Sequence, residues 1–312
     1  MTKKSIYHIF AGIKYILTVV LITLLFYTTI PIKTTATLLV PQGSISNLIN
    51  HLQTKGHAVS VLDRYILRAI GKPQAGWIYI GKKELNRVDF FYKLTAYKAR
   101  LHDITLIPGQ TLYVFFESIA KEMDLNATKL QKHYNTLSPY PEAGIFSDTY
   151  LVPFGMREES LVEFLVQESE KKFISISEKI FGVYETKEWH KILTIASIIQ
   201  KEAANKEEMP LVASVIYNRL AINMPLQMDG TLNYGKYSGT KVTPERIRND
   251  TSHFNTYKHK GLPPSPIGAI SLDSILAAVK PAQTDYLYFV RNAEGTHDFS
   301  KTFKEHRKAI ER

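Results

Sequence analysis

Residues 193–203 read LTIASIIQKEA and place one carboxylate, Glu202, among apolar side chains at helical spacing. Steps of three and four residues put Ile195, Ile199 and Glu202 on one face of the predicted helix and turn Gln200 to the opposite side. Burial disfavours the charged form of a carboxyl group, so we expect a raised pKa for Glu202. A protonated carboxyl in a cleft suits general acid catalysis. The alternative is a helix end at which Glu202 reaches solvent.

The composition is that of a globular protein with an anionic partner. The chain has 312 residues, 45% of them hydrophobic and 22% charged, which is enough for two modest domains. Its formal net charge of +10 indicates contact with a membrane surface, a cell-wall polymer or nucleic acid. The chain has no basic arm, zinc knuckle or ribonucleoprotein motif, so no nucleic-acid partner is predicted. The absence of cysteine excludes disulfides, thiolate zinc sites and a thiol nucleophile.

The N-terminal part of the chain predicts a transmembrane anchor over residues 15–31. Residues 15–30, YILTVVLITLLFYTTI, are uncharged and almost wholly apolar, and Pro31 ends the run. Three lysines precede this run: Lys3, Lys4 and Lys14. The positive-inside rule therefore places residues 1–14 in the cytoplasm and the chain after Lys33 outside. The alternatives are a cleaved signal peptide, against which the lack of a small-x-small site argues, and a buried core helix.

Residues 32–136 predict a small α/β region that resembles a LysM-type glycan-binding module. A strand-like segment at 102–107 is followed by Gly-x-Thr-Leu at 109–112 and two helical patterns that reach residue 135. A plain helical hairpin is the alternative, because the motif has few fixed polar residues. The other predicted strands are 37–41 and 77–80, and the other predicted helices begin at Ser44 or Ser46, at Ser60 and at Phe90.

A composition shift at 137–141, LSPYP, predicts a boundary, after which residues 137–312 form a larger mixed α+β domain. The overall fold class is therefore α+β. Within this domain the segment 225–235, PLQMDGTLNYG, alternates, so that Gln227, Asp229 and Thr231 share one side of an extended segment. Such a polar row lines a groove for hydroxyl and amide groups, or it is a solvated edge strand.

The loop 254–271, FNTYKHKGLPPSPIGAIS, is rich in turn residues that hold Asn255 and Tyr257 in place. It predicts a binding wall, with a simple proline-rich turn as the alternative. Residues 285–290 predict a core strand. The ten histidines lack the spacing of metal ligands, so neither a metal nor a cofactor is predicted.

Six segments follow one another in the chain: SIIQKEA, PLVASVIYNRL, PLQMDGTLNYG, NTYKHKGLPPSPIGAIS, AAVKPAQTDYLYFV and HDFSKTFKEH. In this order they resemble the YceG-like endolytic murein transglycosylases of the MltG type, over most of residues 142–312. The resemblance implies a lyase tethered to the bacterial inner membrane, with the bulk of the chain on the periplasmic side. It further implies cleavage within nascent peptidoglycan strands, termination of their elongation, 1,6-anhydro products and partnership with penicillin-binding synthases.

The family's usual E-K-E appears here as Gln200-Lys201-Glu202, which leaves Glu202 as the carboxylate for the catalytic role and makes position 200 dispensable for the chemistry. The family's L-Q-T-D-P-T appears as residues 226–231, LQMDGT. The expected substrate-binding residues are Asn218, Arg219, Gln227, Asp229, Thr231, Asn255, Tyr257, Gly261 and Pro263. Arg219 is expected either to cap helix carbonyls or to pair with Asp229. Two rival functions remain: a muramidase that uses Glu202 with Asp229, and an inactive wall-binding scaffold.

Overall fold

The chain forms two compact units in a computed structural model that describes residues 3–311. One unit runs up to His102 and includes Leu151–Met156; the other comprises Asp103–Tyr150 and the chain from Arg157 onward. The parts of the predictions that concern residues 1–2 and 312 lie outside the described residues.

The first unit contains two small antiparallel sheets and four helices. Its elements are α1 (Lys3–Thr29), β1 (Pro31–Lys33), β2 (Thr37–Val40), α2 (Ile45–Thr54), α3 (Asp63–Ile70), β3 (Gly76–Tyr79), β4 (Glu84–Asn86) and α4 (Arg87–Ala96). Strand β1 pairs with β4, and β2 pairs with β3. Local signals set several helix ends: the Ser44 side chain accepts from the Asn47 N–H at the start of α2, and Gly71 follows α3. The core between sheets and helices includes Ile78, Phe90 and Phe91.

Helix α1 has an exposed apolar stretch, Phe10–Thr29, that is long enough to cross a membrane. The helix begins well before the predicted anchor, because residues 3–14 continue the same helical backbone. At its other end the Tyr27 hydroxyl lies 2.7 Å from Ser60 Oγ, and Arg87 lies over the Tyr27 ring at 4.3 Å. Phe10–Thr29 is therefore a candidate membrane span.

Strands β5 (Leu101–Thr105) and β6 (Thr149–Pro153) lie where the chain passes from one unit to the other. The second unit is mostly helical and ends in a hairpin of strands followed by a helix. Its elements are α5 (Leu112–Met123), α6 (Ala127–Leu137), α7 (Glu158–Phe181), α8 (Thr186–Glu202), α9 (Met209–Ala221), 3₁₀ turns at Asp229–Leu232 and Gly235–Tyr237, α10 (Pro244–Asn249), α11 (Leu272–Val279), β7 (Tyr288–Arg291), β8 (His297–Ser300) and α12 (Phe303–Ile310). These elements confirm the mixed α+β class.

Helix α8 is the centre of the second unit. It contacts α9, α11 and the 3₁₀ turn at Asp229–Leu232, and residues 193–199 are buried without exception. The predicted division into an apolar face and an opposite polar face is therefore wrong for this helix. Neighbours surround residues 193–199 on all sides, whereas the last turn is only partly buried. Gln200, Lys201 and Glu202, from different faces of that turn, line the same cavity.

Two predicted extended segments differ in the structure. Residues 226–231 do not alternate as a strand, because Gln227 has a φ of 51° and the chain then enters the 3₁₀ turn. The core strand predicted at 285–290 begins only at Tyr288 and is half-buried. Side chains of α9 bind the carbonyl groups just before it, so these groups are not available to a strand partner.

The units also divide at a different place from the predicted boundary. Helices α5 and α6 follow the predicted strand and Gly-x-Thr-Leu turn, and Asn126 caps α6 as expected. Helix α6 packs on α7, so residues 103–136 belong to the second unit rather than to a separate region with residues 32–102. Helices α5 and α6 each bury apolar side chains. The spacing of these side chains predicts a helix but does not show which neighbouring element the helix packs against. A glycan-binding role for residues 32–136 stays a prediction.

Candidate active site

A cavity of about 530 Å³ lies where α8 ends. Three segments of the second unit line it: the turn before α5, the last residues of α8, and the chain that contains the two 3₁₀ turns. The lining residues are Ile107, Pro108, Gly109, Gln110, Val114, Gln200, Lys201, Glu202, Asp229, Gly230, Asn233, Ser238 and Gly239. The turn before α5 is held by backbone hydrogen bonds with Ala269, from the Gly109 N–H and to the Gln110 carbonyl, each 2.7 Å long.

Glu202 is the half-buried carboxyl at the centre of this cavity. Its Oε1 accepts a hydrogen bond of 2.7 Å from the Gly230 N–H. The approach requires glycine in this geometry, since a Cβ on Gly230 would lie 2.7 Å from that oxygen and 2.9 Å from the Lys201 Cβ. The family pattern has proline at this position, which has no N–H, so the hydrogen bond depends on the glycine of this chain.

The surroundings of Glu202 favour its neutral form. Burial raises its pKa to about 7; the Gly230 hydrogen bond opposes the shift, and the negative charge of Asp229 adds to it. Lys201 and Arg219 act in the opposite direction with smaller effects. The raised pKa predicted from residues 193–203 therefore has the same direction in the structure, although its source is the cavity wall and not an apolar helix face. Such a group is a proton donor near neutral pH.

Lys201 is itself desolvated between two carboxyl groups. Burial lowers its pKa to about 8, against the charges of Glu142 and Glu202, and its Nζ donates to the Asn233 carbonyl at 2.7 Å. Burial also raises the pKa of Glu142 to about 7, while this side chain accepts from the Leu112 N–H at the start of α5. Lys201 thus joins the end of α8 to the chain between the two 3₁₀ turns through its hydrogen bond to Asn233.

A second cavity, of about 370 Å³, meets the first at Glu202 and Asp229, which line both. The Tyr257 hydroxyl donates to Asp229 at 2.7 Å, and Gln227 lies exposed on the same wall. Of the predicted binding residues, the structure therefore brings Arg219, Gln227, Asp229 and Tyr257 together around Glu202. Glu202 and Asp229 thus stand where the two cavities adjoin.

Two of the predicted binding residues, Thr231 and Asn255, are fully buried and line neither of the two cavities. A ligand contact for them stays a prediction. Thr231 Oγ1 donates to the Met228 carbonyl at 2.7 Å, and the Asn255 amide donates to the carbonyls of Ile247 and Asp250. Their side chains hold the loop that carries Asp229 and Tyr257. The sequence does not show whether a polar residue in a loop binds a ligand or holds the loop in place.

Three further predicted residues, Asn218, Gly261 and Pro263, do not line either cavity, and Arg219 lines the second cavity with its side chain bound to carbonyl groups. The Asn218 amide donates to the carbonyls of Thr284 and Tyr286, and Gly261 and Pro263 line neither of the two cavities. Arg219 is buried and donates to the carbonyls of Leu226 and Leu287; among the described contacts of its side chain it makes no ion pair with Asp229. These carbonyls lie in loops outside α9, so neither expected role of Arg219, the capping of helix carbonyls or the pair with Asp229, is among its described side-chain contacts.

Several polar residues of the cavity wall were not among the predicted site residues, among them Gln110, Gln200 and Lys201. Gln200 was expected on the far side of α8, yet its Oε1 accepts from the Ser271 hydroxyl at 2.6 Å and from the Ser271 N–H at 3.3 Å. It thereby caps the start of α11 from within the cavity wall. The usable signal for Gln200 and Lys201 was their position in the last helical turn, beside Glu202. In residues 3–311 no group of three His, Asp or Glu is placed to hold a metal ion.

The second unit is thus a mixed α+β unit built around one largely buried helix, with the desolvated carboxyl group of Glu202 where two clefts meet. The chain belongs to the YceG-like family, whose model matches residues 38–312. It is 36% identical over 206 residues to a Bacillus subtilis (strain 168) protein named endolytic murein transglycosylase, a match that covers 64% of this chain and 54% of that protein.

A Streptococcus pneumoniae (strain D39) protein of the same name is 33% identical over 175 residues, covering 53% of this chain and 31% of that protein. The chain thus matches about half of the length of one relative and about a third of the other. A crystal structure of a putative yceG-like protein from Listeria monocytogenes aligns with a TM-score of 0.58 at 27% identity, covering 88% of this chain and 99% of that one.

Proposed function

We propose that this protein is a membrane-anchored endolytic lytic transglycosylase that cleaves the β-1,4 bond between N-acetylmuramic acid and N-acetylglucosamine within peptidoglycan strands. The observation that carries the proposal is the position of Glu202, whose pKa is raised to about 7, at the junction of two clefts. The printed names of the Bacillus and Streptococcus relatives support the substrate and the reaction.

In the proposed reaction Glu202 acts first as acid and then as base. Its proton goes to the glycosidic oxygen, the C1–O bond breaks, and positive charge develops on the muramyl ring. The ionised carboxylate then removes the proton of the muramyl 6-hydroxyl, whose oxygen bonds to C1 and closes a 1,6-anhydro ring. No water is consumed. One carboxyl group therefore suffices, in contrast with hydrolases, which use two.

The neighbours of Glu202 have supporting roles. Asp229 lies close enough for its charge to raise the pKa of Glu202, and the same charge stabilises a cationic transition state. Tyr257 holds Asp229 through its hydroxyl, and Gln227 binds sugar hydroxyl groups. Because clefts extend from Glu202 in two directions, a strand can continue past the cleaved bond at both ends, which is what cleavage within a chain requires.

We further propose that residues 15–31 anchor the protein in the bacterial cytoplasmic membrane, with the second unit on the outer, periplasmic side. The exposed apolar surface of Phe10–Thr29 and the preceding lysines support this orientation. Anchoring restricts the enzyme to strands near the membrane, where penicillin-binding synthases extend them. Cleavage there terminates elongation, and those synthases are the proposed partners.

Product analysis tests this function. The full chain in detergent is incubated with purified sacculi, and the soluble products are separated and their ends identified by mass spectrometry. We expect 1,6-anhydro ends from internal cleavage. Reducing ends in their place would identify a two-carboxylate muramidase, whereas binding to sacculi without soluble products would identify a scaffold.

The pH dependence of cleavage is expected to follow the ionisation of Glu202. The acid form is present below its pKa of about 7, so kcat/KM should be constant in mildly acidic buffer and fall above pH 7, by about tenfold for each further pH unit. Initial rates of sacculus solubilisation between pH 5 and pH 9 measure this limb. A rate that stays level from pH 6 to pH 9 would contradict the role of Glu202 as acid.

Position 200 is expected to matter for stability and not for chemistry. Gln200→Glu keeps an oxygen acceptor for Ser271, so cleavage should stay within about threefold of the wild-type rate. Gln200→Leu leaves the Ser271 hydroxyl and N–H without this acceptor and should lower the free energy of unfolding by about 1–3 kcal/mol. Urea titration and the product assay measure the two effects, and a loss of cleavage in Gln200→Glu with stability unchanged would oppose this division.

A further inference from the structure

The second cavity beside Glu202 has an aromatic wall that the proposed mechanism does not use. Five residues of the C-terminal hairpin and helix α12 line it, and three of them pack ring against ring: Tyr288, Phe303 and His306. The other two are Phe289 and Val290. Tyr288 and His306 stack with ring centroids 5.2 Å apart and an interplanar angle of 24°. The Phe303 ring lies 5.9 Å from Tyr288 and 6.3 Å from His306.

The buried side chain of Arg219 packs against this aromatic group. The Arg219 guanidinium lies 5.3 Å from the centre of the Tyr288 ring and is itself fixed by the carbonyls of Leu226 and Leu287. The Tyr288 ring is thus already in contact with Arg219 and His306. Phe303, in contrast, is 59% exposed although it lines the cavity, so it offers an aromatic surface to a ligand.

An exposed aromatic ring next to polar groups in a cleft is suited to a sugar. A pyranose ring has a flat row of C–H groups that packs on an aromatic face, while its hydroxyl groups need hydrogen-bonding partners at the edge. The exposed Gln227 and the Tyr257–Asp229 pair, which line the same cavity, supply such partners. Since Glu202 lines the same cavity, a sugar bound there is continuous with the bond that Glu202 cleaves.

We propose that Phe303, backed by Tyr288 and His306, is a stacking platform for a pyranose ring of the glycan strand on one side of the cleaved bond. This inference rests on the proposed function for the identity of the strand. It assigns substrate binding to the C-terminal helix, which none of the sequence predictions included. We place this pyranose ring beyond the two sugars that flank the cleaved bond, so strands long enough to reach the platform should bind more tightly than shorter ones.

Steady-state kinetics of Phe303→Ala test the platform, with purified glycan strands of two to six disaccharide repeats and the full chain in detergent. We expect KM to rise about tenfold for long strands while kcat stays within about twofold. The defect should disappear for the shortest strands that are cleaved, and Phe303→Trp should restore the wild-type KM. The matched control is Phe181→Ala, a phenylalanine that is 49% exposed and lines a different cavity of the same unit; its kinetics should not change.

Co-sedimentation with sacculi separates this inference from the proposed function. If the wild-type chain releases no anhydro products, the catalytic proposal fails, yet Phe303→Ala should still be retained less by sacculi than Phe181→Ala if the platform exists. If the wild-type chain cleaves strands but Phe303→Ala has an unchanged KM at every length and unchanged retention, the platform is overturned. In that case Phe303 serves a surface that does not bind glycan.

Discussion

Replacing Glu202 with glutamine lowers kcat for strand cleavage by about 10³-fold or more, because the amide neither donates the proton to the glycosidic oxygen nor accepts one from the 6-hydroxyl. Glutamine has nearly the same shape, and its Oε1 still accepts from the Gly230 N–H, so the fold should not change. The measurement is the initial rate of release of anhydro-ended products from sacculi, compared at equal protein concentration and with thermal unfolding curves for both proteins.

The matched control for this substitution is Glu207→Gln, on an exposed side chain shortly after α8 that belongs to neither cavity. Its rate should equal that of the wild type. Glu202→Gln should also keep its binding to sacculi, because the clefts are unchanged. Anhydro products at the wild-type rate from Glu202→Gln would remove the basis of the proposed mechanism.

Replacing Asp229 with asparagine should lower kcat by about 10²-fold, since a fixed negative charge next to the developing cation is lost. The remaining products should still have anhydro ends, because Glu202 alone performs both proton transfers. The charge of Asp229 raises the pKa of Glu202, so the alkaline limb of the pH profile should move to lower pH in this variant. Rates and product ends across the pH range measure both effects in one experiment.

This variant also distinguishes the two carboxylate mechanisms. A muramidase that needs Asp229 as base or nucleophile would lose activity as completely in Asp229→Asn as in Glu202→Gln. Asp273→Asn, in the first turn of α11 and outside both cavities, is the control for loss of an exposed acid. An unchanged pH limb in Asp229→Asn would show that its charge does not reach Glu202.

Local features of the chain were predictable wherever neighbouring residues determine them. The apolar run before Pro31 became a helix, Ser44 and Asn126 became helix caps, and Gly71 ended α3. Each of these follows from spacing or from a hydrogen bond between residues a few positions apart. The same holds for the placement of a glutamate in the last turn of α8.

The local environment of the site was not predictable in this way. The alternation of residues 226–231 predicted a row of three polar groups, but only Gln227 and Asp229 reach a cavity and Thr231 is buried. A bonded network with Thr256 turns Thr231 inward, across 25 residues of sequence. Likewise, Gln200 faces the cavity because Ser271, far along the chain, meets it there.

From the amino-acid sequence one can tell which carboxyl group stands at the end of the central helix and which segment is apolar enough to span a membrane. The family motifs are also visible there. The tertiary structure decided what that carboxyl group meets: the Gly230 N–H, the charge of Asp229, and two clefts whose walls include Gln110 and Phe303. The reason is physical. Helical spacing acts over a few residues, whereas desolvation and cleft shape depend on segments brought together from distant parts of the sequence.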